Sequence, residues 1–284
     1  MANRKLLEVF LDTKRILCRN DYYIYIPKRV IHITNTESMI PHLMGMQYVG
    51  RPHMFTGDRG AYMIKKERLK YSSIEKLVRK YYRGEGKQLS LLAMIEGKIN
   101  NLYRIENMFS TYSELYLYDV TANPESELKT DYLLVNHMQQ LVLQLGIVKS
   151  DNKKLHEYHC NSFMVDYKKN NDYDLHYRNL TKRYEISKIV REDKETKQAE
   201  VVYQSNSAKE RELAGIRRMF ESVEIFASQD LLEAVLKLNQ KFAQYHTLDM
   251  LTDTEQLLKK CNNKADKNYV NHFICAWSRD ISGI

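Results

Sequence analysis

The spacing of apolar residues along the chain switches between a helical and a two-residue period. MANRKLLEVFLDTKRIL places its apolar side chains at helical intervals with charges between them, so the chain opens on an amphipathic helix. YYIYIPKRVIHIT then alternates β-branched and aromatic residues around Pro27-Lys28, which predicts two short strands or one strand broken at an edge. SSIEKLVRKYY returns to helical spacing and starts with Ser72 and Glu75, the two members of a capping box. QLSLLAMIEGKINNLYRIENMF continues the helical pattern, with a break or bend expected near Gly97.

A series of short β-rich runs follows: ELYLYDV, DYLLV, QLVLQLGIV, NSFMVDY, RYEISKIV and AEVVYQ, separated by polar turns such as KSDNKK and KKNNDYD. Helices, then strands, then helices point to an α+β fold: a small antiparallel sheet with packed helices. From Ser207 the helical period returns. Ser207 with Glu210 and Thr252 with Glu255 form capping boxes, Leu213, Ile216, Phe220 and Val223 line one helix, and Leu231, Val235, Leu238 and Phe242 line the next. The expected division is a basic α+β domain over residues 1–206 and an all-helical C-terminal domain over 207–284, with no internal repeat.

The chain's 284 residues, 43% of them hydrophobic, are enough to build a core. No apolar run approaches the roughly 20 residues of a membrane span, so the expectation is a soluble, cytoplasmic protein with no membrane partner. Cys18, Cys160, Cys261 and Cys275 are scattered without a CxxC pair, which gives neither a disulfide framework nor a zinc site.

Charge adds the first functional hint. Lys and Arg number 44 against 36 Asp and Glu, a formal +8, and from Ser207 onward 11 basic residues balance 11 acidic ones. The excess lies in the first part of the chain. Between Arg59 and Arg104 there are 12 basic residues and four acidic, interleaved with Tyr62, Tyr71, Tyr81, Tyr82 and Tyr103. Cations beside flat rings suit a polyanion whose bases stack, so Arg51, Lys65, Lys66, Arg68, Arg79, Lys80 and Arg83 are the candidate nucleic-acid contacts. The same run also fits a solvated helical face. An anionic membrane surface fits less well, because tyrosines take the place of the Leu and Trp of a membrane-lying helix.

The chain has no Gly-rich phosphate loop, HExxH, GxSxG or GxGxxG motif. His156 and His159 in HEYHC have a ligand-like spacing, but three residues apart on a strand they face opposite sides, and nothing completes a metal site. No metal and no other cofactor is expected.

TESMIPHLMGMQYV, followed at long range by GKINNLYRIENMF, DYLLVNHMQQLVLQLGIV and CNSFMVDY, resembles a family of phage and mobile-element proteins. That family is the fourth phage subfamily of the barnase, EndoU, colicin and RelE nuclease superfamily. The resemblance covers about Lys28 to Val190, and its matching residues are His42, Leu43 and Gly45, then Lys98, then Asp131 and Tyr132, then Ser162 and Phe163. The chain departs from the pattern at Met46, where Leu is usual, and at Cys160-Asn161, where a Pro-containing pair is usual.

The resemblance implies a small sheet with packed helices that cuts RNA without a metal. Such chemistry needs a base for the ribose 2′-hydroxyl, an acid for the leaving 5′-oxygen, and donors for the charge on the phosphorane. Imidazole suits the first two; Lys, Arg, Ser and Tyr suit the third. His42 is then the acid or base, Lys98 a phosphate clamp, and Tyr132 and Ser162 donors, with Arg51, His53 and His137 of second rank. Against this, His42 reads equally as a residue that follows Pro41 and braces its turn by bonding backbone, and Ser162 and Tyr132 as satisfied strand residues. Three functions stand side by side: a ribonuclease of toxin or host-interference type, whose partners are RNA and an antitoxin or inhibitor protein; an idle relative that still binds nucleic acid; and a protein-interaction module that meets an acidic partner.

Overall fold

The structure, a computed structural model, describes residues 5–51, 53–83, 86–124, 126, 128–150, 157–167, 176–221 and 229–242. The chain opens with α1 (Leu6–Thr13), which buries Leu6, Val9 and Phe10 and runs on into a π-helical turn. An antiparallel hairpin follows, β1 (Asn20–Ile26) with β2 (Arg29–Ile33), its turn made at Pro27-Lys28 with Lys28 at φ 64°. Next come α2 (Ile40–Leu43), α3 (Gly57–Lys65), α4 (Tyr71–Tyr81), α5 (Gln88–Asn101) and α6 (Ile105–Ser110).

Two local expectations fail here. Lys70 is the residue at the N-cap of α4, no side chain caps it, and Ser72 lies inside the first turn. Glu75 is engaged by Arg79 one turn on, so the capping box does not form. α5 passes through Gly97 unbroken, and a Cβ there would stand at ordinary contact distance, 3.9 Å, from the Tyr167 ring.

The remaining strands are β3 (Glu114–Leu117), β4 (Tyr132–His137), β5 (Leu141–Lys149), β6 (Glu157–Tyr167), β7 (Arg183–Tyr184), β8 (Lys188–Asp193) and β9 (Ala199–Gln204). They join the hairpin in one nine-stranded sheet, ordered β7-β3-β4-β5-β6-β2-β1-β8-β9. The sheet is large rather than small, and mixed rather than antiparallel, because β2 meets β6 in parallel. The hairpin at the start of the chain causes both departures: it is inserted between β6 and β8 and links two antiparallel groups into one sheet.

The sheet also curls. β7 and β8 stand first and eighth in the order, about 34 Å apart if the strands lay flat. Only residues 185–187 join them, a span of roughly 14 Å at most. The main core fills one face with Phe10, Ile24, Ile31, Leu43, Ile99, Phe109 and Phe163, and a smaller cluster of Tyr118, Leu133, Val135, Val142 and Leu180 covers part of the other.

At the C-terminal side, α7 (Asn206–Glu221) is capped by Ser205, whose Oγ accepts from the Ala208 N–H, while the Ser207 hydroxyl donates to Glu185. The cap thus sits two residues before the expected Ser207. α8 (Gln229–Phe242) buries Leu231, Leu232, Val235 and Leu236 and packs on α7 and β9. The side chains of Phe220, Val223, Leu238 and Phe242 and the Thr252–Glu255 pair lie outside the described residues. Among the described residues no helix is long and apolar enough to cross a membrane.

Candidate active site

β2 pairs with β6 only at Glu157 and Tyr158. Beyond that point the Asn35 side chain takes over, its Oδ1 accepting from the Cys160 N–H at 2.8 Å. Among the described residues no strand then borders this edge of β6, and a cleft of about 930 Å³ opens beside it. α2 and the turn after it contribute His42, Gln47 and Tyr48; α5 contributes Met94 and Lys98; β6 contributes Asn161, Ser162 and Met164. The opposite wall holds Asn123, Ser126 and Lys129 with His176, Arg178 and Asn179 from the turn before β7.

A bulge aims Ser162 into the cleft. Gly146 pairs with Ser162 but Ile147 with Cys160, which leaves Asn161 as an extra residue. Cys160 and Phe163 therefore both enter the main core, while Ser162 and Met164 line the cleft. Gly146 permits this, since a Cβ on it would meet Asn161 Oδ1 at 2.7 Å.

His42 and Lys98 are brought together by Gly45. That glycine ends the turn after α2 at φ 84°, a left-handed conformation that L side chains rarely adopt, and the stem of Lys98 packs against its bare Cα. Asn101 steadies the same part of α5, donating to the Gly97 carbonyl at 2.9 Å and to the Tyr167 hydroxyl at 3.0 Å. Lys98 is only 3% exposed, its ammonium lies over the Tyr48 ring, and no carboxylate pairs with it among the described residues. Burial pushes its pKa down to about 8. His42 is lowered from its ordinary 6.5 by burial and then by the charge of Lys98. Its ring makes no hydrogen bond among the described residues; the bond that closes the turn is a backbone one, from the Gly45 N–H to the His42 carbonyl.

Tyr132, grouped with these three by the sequence, lies elsewhere. It is 2% exposed on the core face of β4, its hydroxyl accepts from Arg29, and its ring packs with Tyr158 and Tyr184. The second-rank candidates also lie outside the cleft lining: Arg51 and His53 are exposed, His53 at φ 63°, and His137 reaches Glu114 at 3.3 Å. His159 faces Ser150 at 3.2 Å, and His156 lies outside the described residues. Among the described residues no three His, Cys, Asp or Glu side chains are grouped to hold a metal ion.

The seven candidate nucleic-acid contacts are all exposed and none lines the cleft. Lys65 binds Glu37 at 2.6 Å and Arg79 binds Glu75 at 2.9 Å, whereas Arg68 lies over Tyr62 and Lys80 over Tyr81. The structure adds Lys129, His176 and Arg178 to the candidate site. They come from polar turns, where no periodicity distinguishes a functional side chain from a solvated one.

Residues 5–208 match the family described as phage-Barnase-EndoU-ColicinE5/D-RelE like nuclease4. The chain belongs to this family. The phage nuclease match takes in all nine strands and every cleft residue named above, and it ends at the first turn of α7. It reaches beyond the resemblance read from motifs at both ends, adding α1, β1 and β9 to the nuclease unit. No curated protein and no solved structure matches the chain.

Proposed function

We propose that this member of the nuclease family is a metal-independent endoribonuclease that cuts RNA by attack of a ribose 2′-hydroxyl on the adjoining phosphate. His42 accepts the 2′-hydroxyl proton, for which its depressed pKa keeps the ring unprotonated at neutral pH. Lys98 remains mostly charged there and holds the phosphate in a low-dielectric wall, where a cation acts more strongly than in water. At a pKa of about 8 it also yields a proton to the departing 5′-oxygen more readily than an exposed lysine does. Ser162 adds a hydroxyl donor, and Lys129 and Arg178 add cations for neighbouring phosphates. The products are a 2′,3′-cyclic phosphate and a 5′-hydroxyl.

The observation behind this reading is the shared cleft of His42 and Lys98, two basic groups that burial lowers together and that still differ at neutral pH, Lys98 mostly charged at a pKa of about 8 and His42 held below its ordinary 6.5. Lys66, Arg68, Lys80 and Arg83 hold the RNA that flanks the cut. The biological setting we propose is a toxin or host-interference nuclease restrained by an antitoxin or inhibitor protein. The test is incubation of total RNA with the purified chain in EDTA, beside His42→Ala, followed by analysis of the new ends. Cyclic phosphate ends that disappear in the variant support the reading. Intact RNA with folded wild-type protein overturns it.

A further inference from the structure

Gln47 is fixed in the cleft wall by its neighbours and has no partner there. Met46 and Val49, which flank Gln47 and Tyr48, are buried in the core. Two backbone bonds of 3.1 Å, from the Tyr48 N–H to the Gly45 carbonyl and from the Val49 N–H to the Met46 carbonyl, close the turn. Gln47 lines the cleft together with His42 and Lys98. Its Oε1 is shut off from solvent, and its carboxamide makes no hydrogen bond among the described residues. An amide oxygen left unpaired in this way is costly. Buried carboxamides that serve the fold are bonded: Asn35 accepts from the Cys160 N–H, Asn101 donates to the Gly97 carbonyl and the Tyr167 hydroxyl, and Asn136 donates to the Tyr112 carbonyl and to the hydroxyls of Thr111 and Ser113.

We propose that Gln47 is a specificity-determining residue that reads the base of a nucleotide bound in the cleft. A carboxamide carries a donor and an acceptor side by side. A phosphate offers acceptors only, so Oε1 would face negative charge, and a lone ribose hydroxyl satisfies one end. The edge of a nucleobase sets donors and acceptors next to each other and pairs with both ends, in an order that differs from base to base. The outermost torsion of a glutamine is broad, so the amide turns from its sealed position to face the ligand and recovers the bond that Oε1 lacks. Met94 and Met164 add apolar surface for the flat ring, and Lys98 takes the phosphate of the same nucleotide. That this nucleotide belongs to an RNA being cut rests on the nuclease reading; the recognition of its base does not.

The test is titration of the full chain with the four ribonucleoside 3′-monophosphates, and with ribose 5-phosphate as a probe that has no base. Binding is followed by ¹H–¹⁵N NMR, with the Gln47 side-chain amide signals assigned by their loss in Gln47→Met. These signals should move with the nucleotides and stay in place with ribose 5-phosphate, and the Kd values of the four nucleotides should span about tenfold or more. Gln47→Met fills the same space without a polar group, so it should bring the four to within about threefold of one another and leave ribose 5-phosphate binding unchanged. Gln47→Glu can only accept and should move the preference toward guanine, whose N1–H and N2–H are adjacent donors; this variant keeps the test intact if Gln47→Met misfolds. Nucleotides that do not bind or that bind alike, a preference that survives in folded Gln47→Met, an order unchanged in Gln47→Glu, or amide signals that ribose 5-phosphate moves as far overturns the inference. A base preference that Gln47→Met abolishes, in a chain unable to cut RNA, supports the inference and overturns the nuclease reading instead.

Discussion

The Cδ atom of Lys98 lies 3.3 Å from where a Cβ on Gly45 would stand. Gly45→Ala therefore both strains a left-handed backbone and pushes on the stem of the buried lysine. The expected cost is about 1–2 kcal/mol of stability. RNA cutting should fall by more than the unfolded fraction accounts for, because His42 and Lys98 move apart. Urea midpoints beside initial rates check this; a variant with wild-type specific activity refutes the coupling.

Lys98→Met should make the protein more stable and inactive. The folded pKa of about 8 lies below the ordinary 10.5, so the unfolded chain holds the proton more tightly. The burial penalty is fully present below pH 8, shrinks as pH rises, and is gone above 10.5; it is on the order of 3 kcal/mol. Denaturation at pH 7 should show a gain of roughly 1–3 kcal/mol in the variant, and the gap should narrow by pH 10.

The pH profile of kcat/KM should be bell-shaped, with its acid limb below 6.5, where His42 becomes protonated, and its alkaline limb near 8, where Lys98 loses its proton. His42→Ala should lower the rate roughly 10²–10⁴-fold without weakening RNA binding. An acid limb that survives in this variant assigns the base elsewhere.

The exposed cations should separate into two classes. Lys66→Glu with Arg83→Glu should weaken RNA binding and flatten its salt dependence while leaving stability within about 0.5 kcal/mol. Lys65→Glu should also destabilise the fold, since it sets a carboxylate beside Glu37, which holds both Lys14 and Lys65. Filter binding across a salt series, together with thermal melts, distinguishes the two.

We expect the helical region from residue 207 to be dispensable for the chemistry but not for stability. Removing it uncovers β9, against which α8 packs, so the melting temperature should drop while cutting persists. Loss of cutting in a truncated chain that remains folded contradicts this.

The sequence revealed those parts of the fold and site that short-range pattern controls. YYIYIPKRVIHIT became the β1–β2 hairpin because alternation and a Pro-Lys turn specify it locally. Its insertion between β6 and β8 depends on long-range pairing that no local period encodes. His42, Lys98 and Ser162 share a cleft and stand in motifs of fixed spacing; Tyr132 stands in one too, but DYLLV is apolar on both faces and its period cannot say which side faces the site. His176 was missed because KKNNDYDLHYRNL has the composition of any solvated turn. Ser205 and Ser207 offer the same hydroxyl two residues apart, so the sequence alone does not separate the true cap, Ser205, from its neighbour.

The extra residue at Asn161 has a consequence for anyone aligning or redesigning this strand. It reverses parity: upstream of it the even-numbered residues Tyr158 and Cys160 are core positions, and downstream the odd-numbered Phe163 takes that place. Deleting Asn161 would remove the bulge yet leave the facing intact, since Cys160, Ser162 and Phe163 would then alternate inward, outward and inward as in a regular strand. A deletion elsewhere in β6 would instead exchange inward and outward side chains from that point on, exposing an apolar residue and burying a polar one.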